Sequence, residues 1–169
     1  MYKALGIVLI ILSSGIYSYK TVEKKRQQLT NLKEFKKALF VIHDELCFSM
    51  SEISVLCKTV SKRTKGKISH LFYQMQAMIE FDNNTDFLSA WNNSTQDENL
   101  FSNDATREVL NFVENFGKKT LDIELENIKK CEKVLEQLIE SEDERYIKEK
   151  KLIYTFGAAI GAVIVILGI

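Results

Sequence analysis

The run His43-Asp44-Glu45 sets an imidazole beside two carboxylates, the residue types that ligate zinc or move protons. Successive residues on a helix are rotated by about 100°, so three in a row do not converge on one ion. Zinc-binding helices instead place ligands at i and i+4, and no His-Glu-x-x-His occurs here. Glu45 has no partner acid at a recognisable spacing and reads as a polar residue on a bundle surface. Cys47, Cys57 and Cys131 are odd in number and show no Cys-x-x-Cys, which predicts reduced thiols, buried or half-buried, with a disulfide as the lesser alternative. A Gly-rich phosphate loop is missing, so the chain is not itself a nucleotide-driven motor. Neither Gly-x-Ser-x-Gly nor a Cys/His pair at a catalytic spacing is present. These patterns predict no enzyme, no metal, no cofactor and no small-molecule substrate.

The elements that would carry such residues follow from where the charge lies. Lys and Arg number 23 and so do Asp and Glu, giving a formal net charge of zero. All of this charge except Lys3 lies between Lys20 and Lys151. A neutral mixed-charge surface offers no electrostatic footprint for nucleic acid. Proline is absent and glycine is scarce, so little interrupts helices.

Two apolar runs frame this charged middle. Residues 2–19 and 152–169 are each roughly 27 Å long as helices, enough for a nearly upright membrane span. Tyr2, Tyr17 and Tyr19 edge the first run; Tyr154 and Phe156 edge the second, as interfacial aromatics do. Lys20, Lys24, Lys25 and Arg26 follow the first run, and Lys148, Lys150 and Lys151 precede the second. The positive-inside rule then places 20–151 in the cytoplasm. A signal peptide cleaved near Ser13–Gly15 is the rival, opposed by the basic cluster behind it. Gly157 and Gly161 form a Gly-x-x-x-Gly that lets two helix backbones approach closely. Its partner is open between the first run, with Gly6, Ser13 and Ser14, and another protein.

Within 20–151 the apolar period is helical. Leu32, Phe35, Leu39, Ile42, Leu46, Ile53, Leu56 and Val60 recur every three or four residues apart from a softer step at Ser49-Met50, predicting one helix from about Thr21 to Ser61. Lys65-Gly66-Lys67 breaks it. A shorter helix with Ile68, Leu71, Phe72, Met75, Met78 and Ile79 inward follows, then a turn at Asp82–Thr85, a short apolar turn at Phe87, Leu88 and Trp91, and a polar loop at Asn92–Thr95 bearing glycosylation-like sequons. Ser102-Asn103-Asp104 starts a helix with Val109, Leu110, Phe112, Val113 and Phe116 inward, and Gly117 marks its end or a kink. The last stripe is Leu121, Leu125, Ile128, Cys131, Leu135 and Leu138, with Glu124 and its charged neighbours outside. That helix runs unbroken toward the second span. The expected fold is all-α: an antiparallel helical bundle, residues 20–151, between transmembrane helices at 2–19 and 152–169.

DELCFSM at 44–50, ISHLF at 68–72, the Ala90-Trp91 pair, FGKKTLDIE at 116–124 and LEQL at 135–138 succeed one another before a Lys-rich step into a Gly-containing final run. In order, spacing and framing the chain resembles the stage III sporulation protein AB family over nearly its whole length. It departs where that family has an aromatic followed by Pro-Leu, here replaced by Ser51-Glu52-Ile53. It departs again where a second Gly follows the Phe-Gly pair, since Lys118–Leu121 stand before Asp122.

The resemblance implies a reduced relative of the platform proteins of type II secretion and type IV pilus machines. It implies a non-enzymatic adaptor in the cell membrane of the mother cell, facing the forespore, within the export complex that joins the two. The implied partners are the lipid bilayer, a cytoplasmic secretion-type ATPase and other membrane subunits. Glu45, Leu71, Phe72, Trp91, Phe116, Gly117 and Asp122 match the family's motifs. Most of them imply fold determinants; Glu45 and Asp122 are the polar ones, open between contact with a partner and, for Asp122, support of a helix N-terminus. The alternative function is a membrane sensor or scaffold with an extracytoplasmic bundle. A sensor calls for an output domain beyond its second span, for which the sequence offers no segment.

Overall fold

The computed structural model of the chain describes residues 2–48, 52–82, 84–95 and 100–168, with backbone alone at 2–19, 154 and 157–168. The described residues form helices and no strand: α1 (Tyr2–Phe48), α2 (Ile53–Arg63), α3 (Gly66–Phe81), α4 (Phe87–Ser94), α5 (Asn103–Asn115) and α6 (Leu121–Gly168). The all-α expectation therefore holds. They divide into two compact units, Gln28–Glu140 and Met1–Gln27 with Ser141–Ile169.

In the terminal unit, Lys25 Nζ meets Glu149 Oε1 at 2.5 Å. Both groups are exposed, and such surface pairs contribute about 0–1 kcal/mol. Among the described residues no helix is long and apolar enough to cross a membrane. The side chains of 2–19 and 157–168, which include most of both expected spans and the pair Gly157 and Gly161, lie outside the described residues.

The central unit carries the core. On α1, Leu32, Phe35, Ala38, Leu39 and Ile42 are fully buried, following the three-and-four spacing that puts one stripe on one face. Lys36 pairs with Glu136 at 2.7 Å, while His43, further along α1, acts on Glu132, earlier on α6. Rising numbers on one helix thus meet falling numbers on the other, so α1 and α6 run antiparallel within this unit.

α1 stops sooner than its apolar period suggests. Glu52 has left the helical region (φ −57°, ψ 151°), so one helix does not run through from Thr21 to Ser61, and α2 begins afresh at Ile53. The next reversal is built at Thr64–Gly66. The Thr64 hydroxyl and N–H both bond the Val60 carbonyl, and the Lys65 N–H donates to Glu34 Oε2 at 2.8 Å, tying the turn to α1. Gly66 then takes φ +61°, a conformation L side chains avoid; the space there is open, so the need for glycine is conformational. Ser69 Oγ closes the α2–α3 turn on the Ser61 carbonyl at 2.6 Å.

Caps fix the shorter helices. Asp86 Oδ1 accepts the Ser89 N–H at 2.9 Å at the start of α4, and Ser102 does the same for Ala105 at the start of α5. Asn92–Ser94 are the last turn of α4, not a polar loop. Ser94 is buried with its hydroxyl 3.6 Å from Met78 Sδ, and Thr95 returns its hydroxyl to the Trp91 carbonyl. Local bonding of these short polar side chains lets the helix continue where composition alone reads as loop.

Aromatic rings join the helices. Phe35 makes edge-to-face contacts with Trp91 (5.7 Å), Phe101 (5.6 Å) and Phe112 (6.4 Å). Trp91 meets Phe72, Phe72 meets Phe87, Phe87 meets Phe116, and Phe116 meets Phe112. The contacts close on themselves, with Phe35 touching three rings. Each favourable pair adds about 0.5–1.5 kcal/mol beyond its area burial.

Replacing Phe35 with Ala should lower the unfolding free energy of the full chain by about 3–5 kcal/mol, read by denaturant titration of the single tryptophan, Trp91. Phe81, 94% exposed, is the control, and its Ala variant should stay within about 0.5 kcal/mol of the parent. Equal losses at both positions would contradict this core. Asp86 is held below the ordinary carboxylate value by hydrogen bonding from Ser89, with the charge of Lys118 adding to it. A depressed carboxylate stabilises above its unfolded pKa, and that contribution is lost as pH falls through its folded value. Asp86→Ala should therefore destabilise by about 1 kcal/mol at neutral pH, with the gap closing under acid below about pH 4. A gap that is the same at neutral pH and in strong acid would refute the cap's charge dependence.

Candidate functional site

The structure sorts the family-matching residues into two kinds. Phe72, Trp91 and Phe116 are buried, as is Leu71, and the three aromatics belong to the ring circuit. In this fold they shape the interior and offer no ring to a partner. Gly117 follows the α5 C-cap Phe116 with φ +79°, the left-handed residue that lets a helix end and the chain turn away. The polar pair stands apart from them. Glu45 is half-buried near the end of α1, and Asp122 is exposed in the acidic first turn of α6. Asp122 thus sits where a negative charge favours a helix N-terminus.

Phe116 and Gly117 are brought together with Leu46, Ile53 and Leu121 around a pocket of 230 Å³. Leu46, Phe116, Gly117 and Leu121, which belong to three of the motifs, are therefore close in space although far apart in the chain. Gly157 and Gly161 lie outside the residues whose side chains are described.

Sequence reasoning placed Glu124 outside the α6 stripe, and here the structure differs. Glu124 is 5% exposed. Its Oε1 accepts the Lys119 N–H at 3.1 Å, bonding a backbone donor just ahead of the helix. That bond draws the side chain inward, and its Oε2 is buried with no hydrogen-bond partner. One turn on, Asn127 Nδ2 is also buried and unpartnered. Both line a cleft of 280 Å³ between α5 and α6, with Glu108, Lys119, Lys130 and Cys131 among its walls. A signal was present: Glu124, Ile128, Cys131 and Leu135 recur at helical spacing and are all buried.

A second buried polar group went equally unnoticed. Asn31, on the apolar face of α1, donates Nδ2 to the Leu100 carbonyl at 2.9 Å, and Gln28 donates to the Phe101 carbonyl at 2.9 Å. These amides fasten the segment before α5 to α1 and so position Phe101 against Phe35.

The thiols and histidines do not assemble into a reactive centre. Cys57 and Cys131 are buried free thiols, pushed up to about 12, Cys57 by burial and Cys131 by burial with added repulsion from Glu108 and Glu132. Cys47 is free and exposed, its sulfur 3.9 Å from the His43 ring nitrogens. Burial also raises Glu132, against the pull of His43 and Lys36. Among the described residues no group of three or more His, Cys, Asp or Glu side chains is placed to hold a metal ion.

Fold and site together describe an all-helical protein whose motif aromatics and motif glycine serve its core and turns. The chain belongs to the stage III sporulation protein AB family, whose pattern matches residues 3–169. Neither the curated proteins nor the solved structures compared with it contain a match.

The burial pattern makes a direct chemical prediction. A thiol reagent at about pH 8 should modify Cys47 alone in the native chain, because only a thiolate attacks and the buried thiols stay protonated. Cys57 and Cys131 should react at the rate of unfolding. Native modification of either at a rate matching Cys47, followed by peptide mass spectrometry, would contradict the packing of α2 or α6.

Proposed function

We propose that this chain is a non-enzymatic platform or adaptor of the export complex joining mother cell and forespore during endospore formation, and that it works with a cytoplasmic secretion-type ATPase. The observation that carries the reading is the family match across residues 3–169. Residues 2–19 and 152–169 act as membrane helices, and 20–151 as the cytoplasmic domain between them. Supporting this assignment, both end runs lack internal charge apart from Lys3 and are bordered by Lys and Arg on the side of the middle domain. At the edge of the second run, Leu152 and Phe156 are exposed apolar side chains, which lipid would cover. The role is one of contact: the domain holds a shape, and partners bind its polar surface, with Glu45 and Asp122 as candidate contacts. Gly157 and Gly161 pack one membrane helix against another.

Topology in living cells tests the reading at its root. Cys47 is replaced by Ser, the two buried thiols are left in place, and a new cysteine is set at the exposed Asn84. A membrane-impermeant maleimide should label it only after lysis. Labelling in intact cells would place the bundle outside the cytoplasm and remove the ATPase partnership, leaving a scaffold or sensor with an external domain.

A further inference from the structure

The zero net charge of the chain conceals a separation. The central unit, Gln28–Glu140, holds 14 Lys and Arg against 18 Asp and Glu, which leaves the terminal unit with a balance of +4. That excess is concentrated where the two apolar runs meet the charged middle. Lys20, Lys24, Lys25 and Arg26 on α1 and Arg145, Lys148, Lys150 and Lys151 on α6 stand there against Glu23 and Glu149. Both acids are taken up from within, Glu149 by Lys25 and Glu23 by Arg26. The first of these pairs also joins the two helices, so their bases form one collar. Lys20, Lys24, Lys150 and Lys151 are exposed, and among the described residues no carboxylate pairs with them. A helix rises about 1.5 Å per residue, so these four lie within about 8 Å of the edge of a run, one Debye length at physiological salt. Glu142, Asp143 and Glu144 lie roughly 12–15 Å from that edge and are screened from it. At the same edge Leu152 and Phe156 are 55% and 64% exposed.

We propose that this collar binds the headgroup phosphates of anionic phospholipids, with Lys20, Lys24, Lys150 and Lys151 as the contacting groups. Four to eight basic residues beside a membrane helix are the charge density that draws anionic lipid to a protein. Each lysine ends in a compact ammonium with three donors, which meets a phosphodiester without demanding one geometry. The exposed Leu152 and Phe156 select the partner further. An acidic protein or a nucleic acid would match the lysines and leave those apolar side chains in water, whereas a lipid covers them with its acyl chains. A zwitterionic headgroup brings its own cation beside its phosphate, so the lysines favour the anionic lipid over it. The inference names the lipid class for the membrane placement proposed above and rests on that reading.

The test places the full-length chain in phosphatidylcholine vesicles with a trace of spin-labelled phosphatidylglycerol or spin-labelled phosphatidylcholine. Electron spin resonance then reads how much of each lipid is held motionally restricted at the protein. Phosphatidylglycerol should be preferred at least about threefold, and the preference should vanish in about 1 M sodium chloride, where the Debye length is about 3 Å. Replacing the four lysines together (Lys20→Gln, Lys24→Gln, Lys150→Gln, Lys151→Gln) should bring the two lipids level, with unchanged Trp91 emission showing that the fold is kept. Where that variant does not fold, the α1 pair and the α6 pair are replaced separately, and each should remove about half of the preference. The control removes the same charge from exposed lysines of the central unit (Lys58→Gln, Lys62→Gln, Lys65→Gln, Lys67→Gln) and should leave the preference intact. An equal loss in the control assigns the preference to overall charge and overturns the collar, as does a preference that survives loss of the four lysines. Inorganic phosphate should compete no better than chloride at the same ionic strength; stronger competition marks a free-anion site and overturns the lipid assignment. Equal restriction of both lipids overturns the proposal while the membrane spans stand. Restriction of neither lipid removes the spans, and the collar with them.

Discussion

Phe35 is the constraint on which the central unit turns. Its ring touches Trp91 of α4, Phe112 of α5 and Phe101 in the segment between them. Side chains three and four residues along α1 then cover the surrounding apolar surface, which is why Leu32, Ala38, Leu39 and Ile42 are sealed. Edge-to-face geometry fixes direction as well as distance, because the positive edge of one ring seeks the negative face of another. A core of aliphatic side chains would tolerate sliding between helices. A closed circuit of rings specifies how α3, α4 and α5 sit against α1.

Around that circuit the chain treats buried polar groups in three ways. Thr64 satisfies itself, returning its hydroxyl to the carbonyl four residues back. Asn31 is spent on structure, since its amide holds the Leu100 carbonyl and thereby seats Phe101. Glu124 is satisfied at only one oxygen. The first two are ordinary solutions, in which a group removed from water finds a protein partner. The third stands out because a carboxylate gains the most from a partner and loses the most without one.

Much of this was legible in the residues. α3 and α5 follow from apolar spacing bounded by Gly66 and Gly117, and both glycines prove to occupy the left-handed conformation that marks a helix boundary. Ser102 reads as an N-cap and is one. The misses share a cause: periodicity records which residues prefer burial and says little about polar residues forced into it. Ser94, Asn31 and Glu124 lie on buried faces because a neighbouring hydrogen bond makes room for them, at the end of α4, against Leu100 and at Lys119 respectively. Asp82–Thr85 reads as a turn from its composition, and the cap of α4 is Asp86, one residue beyond it. The gap between α1 and α2 was hidden for a related reason, since apolar spacing continues across a residue whose backbone has left the helical region.

The motif residues carry a consequence for where function is sought. Phe72, Trp91 and Phe116 are interior, and Gly117 makes a turn. The features by which the family is recognised here are therefore largely the imprint of a core. Such a pattern transmits a fold, and among the motif residues only Glu45 and Asp122 carry charge outside the core. The polar groups near that core are half-buried Glu45 near the end of α1, exposed Asp122 at the start of α6, and buried Glu124 two residues beyond it. In a protein whose described residues assemble no metal site and whose thiols are mostly sealed, unmet hydrogen-bonding capacity is the sharpest chemical asymmetry available.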